Sequence, residues 1–280
     1  MSDIALLGLT FCLVAAVYSS AGFGGGSSYL ALLSVTSMTA NEIRTTALAC
    51  NLVVVFGSVV LQGRRGLIPW REASVLLGVS VIAAFLAASF PLQQTYYFLL
   101  LGVSLLFAAT AMLLQVGVLY GYGKEGTPSS LREDHEERAA SETSNPTPAK
   151  VREHCRSLTP QEAGIIGGSI GALSGAVGIG GGIFLSPVLY LRQLETPKRI
   201  AAISSAFILV NSLAGLLGIA VGDAIEIRHR ELAVLMIAVA LGGQLGSRFC
   251  MSRASSKHLR LITAFLVAAA GVRILWRVAV

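Results

Sequence analysis

The sequence predicts an all-α polytopic membrane protein made of two inverted repeats. Each repeat is a glycine-broken helix hairpin followed by three long transmembrane helices. Three observations lead there. The 280 residues are 54% hydrophobic and 13% charged, against about 25% charged in a soluble domain. Eight apolar stretches are long enough to cross a bilayer, which takes about 20 residues. A triple-glycine motif recurs at a fixed offset, in the same order of elements. This composition excludes an ordinary cytosolic globular chain, a disordered chain and a disulfide scaffold. The formal net charge is +6, but the basic residues lie between apolar runs. They therefore read as membrane topology and not as a nucleic-acid surface.

The long spans are expected at residues 4–21, 43–62, 71–90, 94–119, 161–178, 199–221, 232–250 and 258–277. Two shorter apolar pieces, 27–38 and 183–194, follow glycine clusters. At about 12 residues, each would make a helix of roughly 18 Å, too short for a hydrocarbon core about 30 Å thick. The first cluster is Gly22, Gly24, Gly25 and Gly26, and the second is Gly178, Gly180, Gly181 and Gly182. The first span does not read as a cleavable signal, because Asp3 precedes it and no Lys or Arg does.

If each hairpin returns to the side it started from, 16 of the 21 basic residues fall inside, and Arg44, Arg228, Arg230, Arg273 and Arg277 fall outside. This bias places both termini outside and the middle connection in the cytoplasm of a bacterial inner-membrane protein. The connection, residues 121–160, carries 13 charged residues and four prolines and reads as a disordered linker. It separates an N-terminal membrane repeat, 1–120, from a C-terminal one, 161–280. Within them, Gly24–Gly26 recurs at Gly180–Gly182, an offset of 156. Gly63 matches Gly222, and Arg71-Glu72 matches Arg230-Glu231, at 159. With an odd number of passes in each half, the repeats run in opposite directions, as in many secondary transporters.

A helix broken by glycines frees amides at the start of the next half-helix, at the positive end of its dipole. Such amides suit an anion without requiring a charged side chain. Ser27 and Ser28 add hydroxyls in the first half, where the second half has Ile183 and Phe184. Asn51, Ser204, Ser205 and Asn211 are candidate polar lining; interhelical hydrogen bonding is an equal reading for the two asparagines. Gly167, Gly171 and Gly175, spaced by four, read as helix packing. No Asp or Glu sits deep in a span, and no protease pair or His/Cys cluster appears, so catalytic, cofactor and metal sites are not expected. Cys12, Cys50, Cys155 and Cys250 read as unpaired thiols.

The stretches from Ser20 to Leu33 and from Ser174 to Leu191 resemble the paired signatures of the TauE/SafE family of sulfite- and sulfonate-exporter-like permeases. The second keeps three glycines, apolar residues, then Pro187 and Leu189. The first departs from it, with Ala31 where proline is common and with Ser27 and Ser28 in place of apolar residues. The resemblance covers both membrane halves and implies that the glycine motifs and Pro187 form the translocation centre. Combined with the residues, the expectation is a permease that exports a small oxyanion, sulfite or an organosulfonate, by alternating access. The expected partners are that anion and the lipid bilayer, with no nucleic acid and with homo-oligomerisation left open. The alternatives are an importer of a sulfur compound or other small anion, and a membrane signalling protein that uses the linker for docking.

Overall fold

The computed structural model describes residues 2–20, 24–90, 92–125, 159–192, 197–222, 226, 228–249 and 256–279. Among them the chain forms ten helices and no strands. They are α1 (Ser2–Ser20), α2 (Gly26–Leu33), α3 (Ala40–Arg64), α4 (Trp70–Ser89) and α5 (Gln94–Glu125) in the first half. The second half has α6 (Pro160–Val177), α7 (Gly182–Leu191), α8 (Pro197–Val221), α9 (His229–Phe249) and α10 (Ser256–Ala279). Each expected long span is one helix, and the two short apolar pieces are the short helices α2 and α7. By length and hydropathy alone, four described helical stretches qualify as spans: Ala40–Arg64, Trp70–Ser89, Gln94–Ala111 and Arg199–Val221. Most of the expected linker, with Cys155, lies outside the described residues, as do Gly22 and Cys250; at its edges α5 continues to Glu125 and α6 begins at Pro160.

Local chemistry sets the helix ends. Thr39 and Thr159 each begin a capping box with the glutamate three residues on: Glu42 N donates to Thr39 Oγ1 at 3.2 Å, and Glu162 N to Thr159 Oγ1 at 3.3 Å. Gly178 ends α6 in the left-handed region at φ 88°, its N–H bonded to Ser174 O at 2.7 Å.

Large apolar side chains are exposed along the outer faces of the long helices, among them Leu9 on α1, Ile82 on α4, Phe107 on α5, Leu217 on α8 and Leu241 on α9. A soluble protein rarely leaves such area uncovered; in a bilayer these are the faces that meet lipid. Inside, apolar burial does not drive helix association, so close backbone packing takes its place. Gly167, Gly171 and Gly175 of α6 lie against the backbone of α4 at Leu76, Ser80 and Ala84. Gly242 and Gly246 of α9 lie in the same way against Cys12 and Ala16 of α1. Both pairs run parallel. By contrast α3 and α8 cross antiparallel, with Leu48 beside Gly215 and Gln62 beside Ser205. The α5–α10 pair is also antiparallel, with Gly102 beside Leu275 and Leu106 beside Gly271. Helix α2 packs on α3 and α10, and α7 packs on α8 and α5.

A Cβ at Gly171 would come within 2.7 Å of Ser80 Cα, whereas one at Gly164 on the same helix meets nothing within 4 Å. Gly171→Leu is therefore expected to destabilise the folded protein by at least about 1–3 kcal/mol, the usual cost of overpacking. Thermal unfolding in detergent should show a lowered midpoint for Gly171→Leu and a near-native one for Gly164→Leu.

Candidate functional site

The glycine breaks of the two halves meet in the protein interior. Asn51, on α3 and fully buried, lies where they meet. Its Nδ2 donates to Ile179 O at 3.0 Å, joining the first half to the second break. A Cβ on Gly26 would collide with Ile179 O and Asn51 Nδ2, one on Gly24 would lie 2.9 Å from Asn51 Oδ1, and one on Gly180 would lie 3.0 Å from Asn51 Nδ2. Three glycines thus make room for one amide. From the other side Ile208 of α8 closes on Gly180 and Gly182. Gly180 and Gly181 also have φ of 88° and 79°, a region open to glycine without strain.

Polar groups with no partner surround this junction. Asn51 Oδ1, Ser27 Oγ, Ser174 Oγ and Ser212 Oγ are enclosed there without a hydrogen bond; Ser204 Oγ and both side-chain atoms of Asn211, also on α8, are enclosed and unpaired too. Leaving such groups unpaired costs about 1–3 kcal/mol each, so their concentration at one place is a functional signal. Gly180 ties Ser212 to the junction, since its Cβ would lie 3.2 Å from Ser212 Oγ. Ser174 lies against Gly181 at 3.2 Å on the same measure, and Ser204 places its carbonyl at that distance from Gly182. At the head of α2, Gly25 is the N-cap residue and no side chain caps the helix. The first backbone bond is Tyr29 N to Gly25 O at 2.9 Å, so the amides of Gly26, Ser27 and Ser28 precede the helical ladder.

The residues expected from the sequence do not all converge. Gly24, Gly26, Asn51, Gly180 and Gly182 do, with Gly181 and Ser204 beside them. Gly25 packs on Tyr29 of its own helix. Ser28 turns to α1, its Oγ 3.0 Å from Tyr18 OH. Ser205 faces the C-terminal end of α3, where Gln62 Nε2 reaches its Oγ at 3.5 Å. Gly178 is the C-cap of α6. Pro187 is buried inside α7, where it withholds an N–H from the carbonyl four residues back. Gly22 lies outside the described residues. Ser212 and Ser174 were not among the expected residues, nor was Arg44, which is 1% exposed and lies against Gly178. For Arg44 a signal was present: a basic residue inside an apolar span.

Where α3 begins, an ion-pair network joins the two halves. Arg228 Nε donates to Glu42 Oε1 at 2.8 Å and Arg228 Nη2 to Ser37 O at 3.2 Å, while Thr39 Oγ1 donates to Glu226. The hydrogen bond to Glu42 raises the Arg228 guanidinium above its ordinary pKa. Among the described residues, no group of three or more His, Cys, Asp or Glu is placed to hold a metal ion.

Residues 7–274 match the family described as Sulfite exporter TauE/SafE. The chain belongs to the TauE/SafE family of membrane transporters. A relative named probable membrane transporter protein y4hK, from Sinorhizobium fredii, is 29% identical over 272 residues, covering 96% of this chain and 97% of that protein. A probable membrane transporter protein of Xylella fastidiosa is 28% identical over 262 residues, covering 91% of this chain and 88% of the relative. No solved structure matches. As a TauE/SafE member the chain is a transporter, and the glycine motifs behind the sequence resemblance are the segments that meet at Asn51.

The two asparagines differ in a way that stability can read. Asn51→Leu removes the donor to Ile179 O and is expected to cost about 1–3 kcal/mol. Asn211→Leu replaces an amide with no partner, so its folded state should be as stable as the native one or more so. Thermal unfolding of the two variants in one detergent checks the contrast.

Proposed function

We propose that the protein is an inner-membrane permease that exports a small oxyanion, sulfite or an organosulfonate, by alternating access around the junction of the two glycine breaks. The observation that carries this reading is the meeting of a break from each half at one buried, partly unsatisfied polar cluster. Bare glycine backbone lets an oxyanion approach main-chain amides. The amides of Gly26, Ser27 and Ser28 and the hydroxyls of Ser27, Ser204 and Ser212 supply donors. Asn51 and Asn211 supply further amide donors.

Alternating access requires two halves that exchange roles. The helix pairs support an inverted repeat spanning residues 1–120 and 161–280. Packing of α4 on α6 is mirrored by α9 on α1, and α7 on α8 by α2 on α3. The counterparts α3 and α8 run antiparallel, as do α5 and α10. In this arrangement the 16-to-5 basic bias puts both termini outside and the linker, residues 121–160, inside. The Arg228–Glu42 network then lies on the outer side, and the Arg192–Glu162 pair, at 2.9 Å, on the inner side. An inside-negative potential drives anion exit by about 2.3 kcal/mol per charge per 100 mV, so export needs no coupling carboxylate.

The test is efflux from proteoliposomes loaded with sulfite, sulfate or a short alkanesulfonate at a set potential. Sulfite or sulfonate should leave at a rate that falls when the potential is collapsed. Gly181→Val, which forces a branched side chain to φ 79° against Phe207, should insert but lose efflux. Efflux indifferent to the potential, or full efflux in Gly181→Val, would sink the reading.

A further inference from the structure

We infer that Arg44 is a specificity-determining, anion-binding residue, forming the outer end of the permeation site. This rests on the reading of the protein as an oxyanion permease and adds a fixed charge to a site otherwise made of backbone and neutral side chains. Arg44 is among the largest fully buried side chains of the described residues, at 1% exposure. Its guanidinium has five N–H donors, and the hydrogen bonds it makes both come from Nη2: to Gly175 O at 3.0 Å and, more weakly, to Ala88 O at 3.4 Å. Its Nε is enclosed with no partner, and none of the ion pairs among the described residues involves it.

The two carbonyls explain half of the arrangement. Ala88 lies in the last turn of α4 and Gly175 in the last turn of α6. Both helices present the negative ends of their dipoles, which orients the guanidinium and offsets part of its charge. Its Nε–H is left over. A buried charge without a counter-ion is costly, and a charged N–H donor left without a partner suits the oxygen of an oxyanion.

Position links this donor to the junction. Gly178 abuts Arg44, where a Cβ would lie 3.2 Å from Arg44 Cα. The next residue, Ile179, gives its carbonyl to Asn51. The second break therefore runs from Arg44 to Asn51, two helical turns along α3, or about 10 Å at 1.5 Å per residue. An anion leaving the junction toward the start of α3 passes from neutral donors to a positive charge. The ligand class is a small oxyanion.

The experiment compares wild type with Arg44→Gln and Arg44→Lys in two readouts: stabilisation against thermal unfolding by sulfite or methanesulfonate, and the concentration dependence of efflux. Gln keeps an amide donor near the position of Arg44 Nε but carries no charge and ends two bonds short of Nη2, which makes both carbonyl bonds. The expected result for Arg44→Gln is folded protein whose half-saturating anion concentration rises about 10–100-fold, the range of one charge-assisted hydrogen bond. Arg44→Lys should fall between Gln and wild type, because a point charge replaces the fork. If Arg44→Gln does not fold, Arg44→Lys decides: a rise of about fivefold or more supports the inference, and wild-type affinity overturns it. Wild-type half-saturation in Arg44→Gln overturns it while leaving the permease reading intact. Arg44-dependent binding without efflux supports it and removes the permease reading. No binding of either anion to wild type removes both.

Discussion

The hydrogen bond from Asn51 Nδ2 to Ile179 O, at 3.0 Å, is the contact on which the interior arrangement depends. It joins residues 128 positions apart and satisfies one of the main-chain carbonyls that a broken helix leaves open. Irregular backbone at membrane depth survives only where protein or water satisfies it. One amide meets that requirement for the second break and lies against the first. The absence of side chains at Gly24, Gly26 and Gly180 follows from it, since a Cβ at any of them would intrude on the Asn51 amide or on Ile179 O.

The long helices serve that junction. Lipid-facing surfaces carry large apolar side chains, and the interhelical contacts rely on glycine. The backbone of α6 seats on α4 through Gly167, Gly171 and Gly175, while α9 seats on α1 through Gly242 and Gly246. In both pairs the glycines come from the second half, from its first helix α6 against the fourth helix of the first half and from its fourth helix α9 against the first, so equivalent contacts are made with the roles reversed. This holds the hairpins in place yet leaves the junction itself lightly bonded: Asn51 has one hydrogen bond and Asn211 none. In the proposed alternating-access permease, a site that releases its ligand to either side benefits from such light bonding.

Much of the fold was legible in the sequence because membrane helices announce themselves by unbroken apolar runs, and their breaks by glycine clusters. Positions 27–38 and 183–194 read as too short to cross, and the short helices α2, ending at Leu33, and α7, ending at Leu191, lie there. The packing role of Gly167, Gly171 and Gly175 followed from their spacing. The site was only partly legible. Asn51 stood out as a buried amide, but its partner is a main-chain carbonyl, and no sequence pattern announces which carbonyl will be free. Ser204 and Ser205 looked equivalent, yet adjacent helical positions point about 100° apart, and Ser205 turns to Gln62. Gly178 belonged to the second cluster by sequence, but its φ of 88° makes it a helix cap. Arg44 was counted as one more charge on the outer side. Its burial depends on the ends of α4 and α6 arriving beside it, which is tertiary information.

The central claim is that the junction opens to each side in turn. It is tested most directly by thiol accessibility at Ser27→Cys, in a chain whose own cysteines are replaced by serine or alanine. Membrane-impermeant maleimide is applied separately to the inner and outer faces of sealed vesicles. The account predicts labelling from both faces, each slowed by a short alkanesulfonate. Labelling from one face only, or from both at rates the sulfonate does not change, would contradict it.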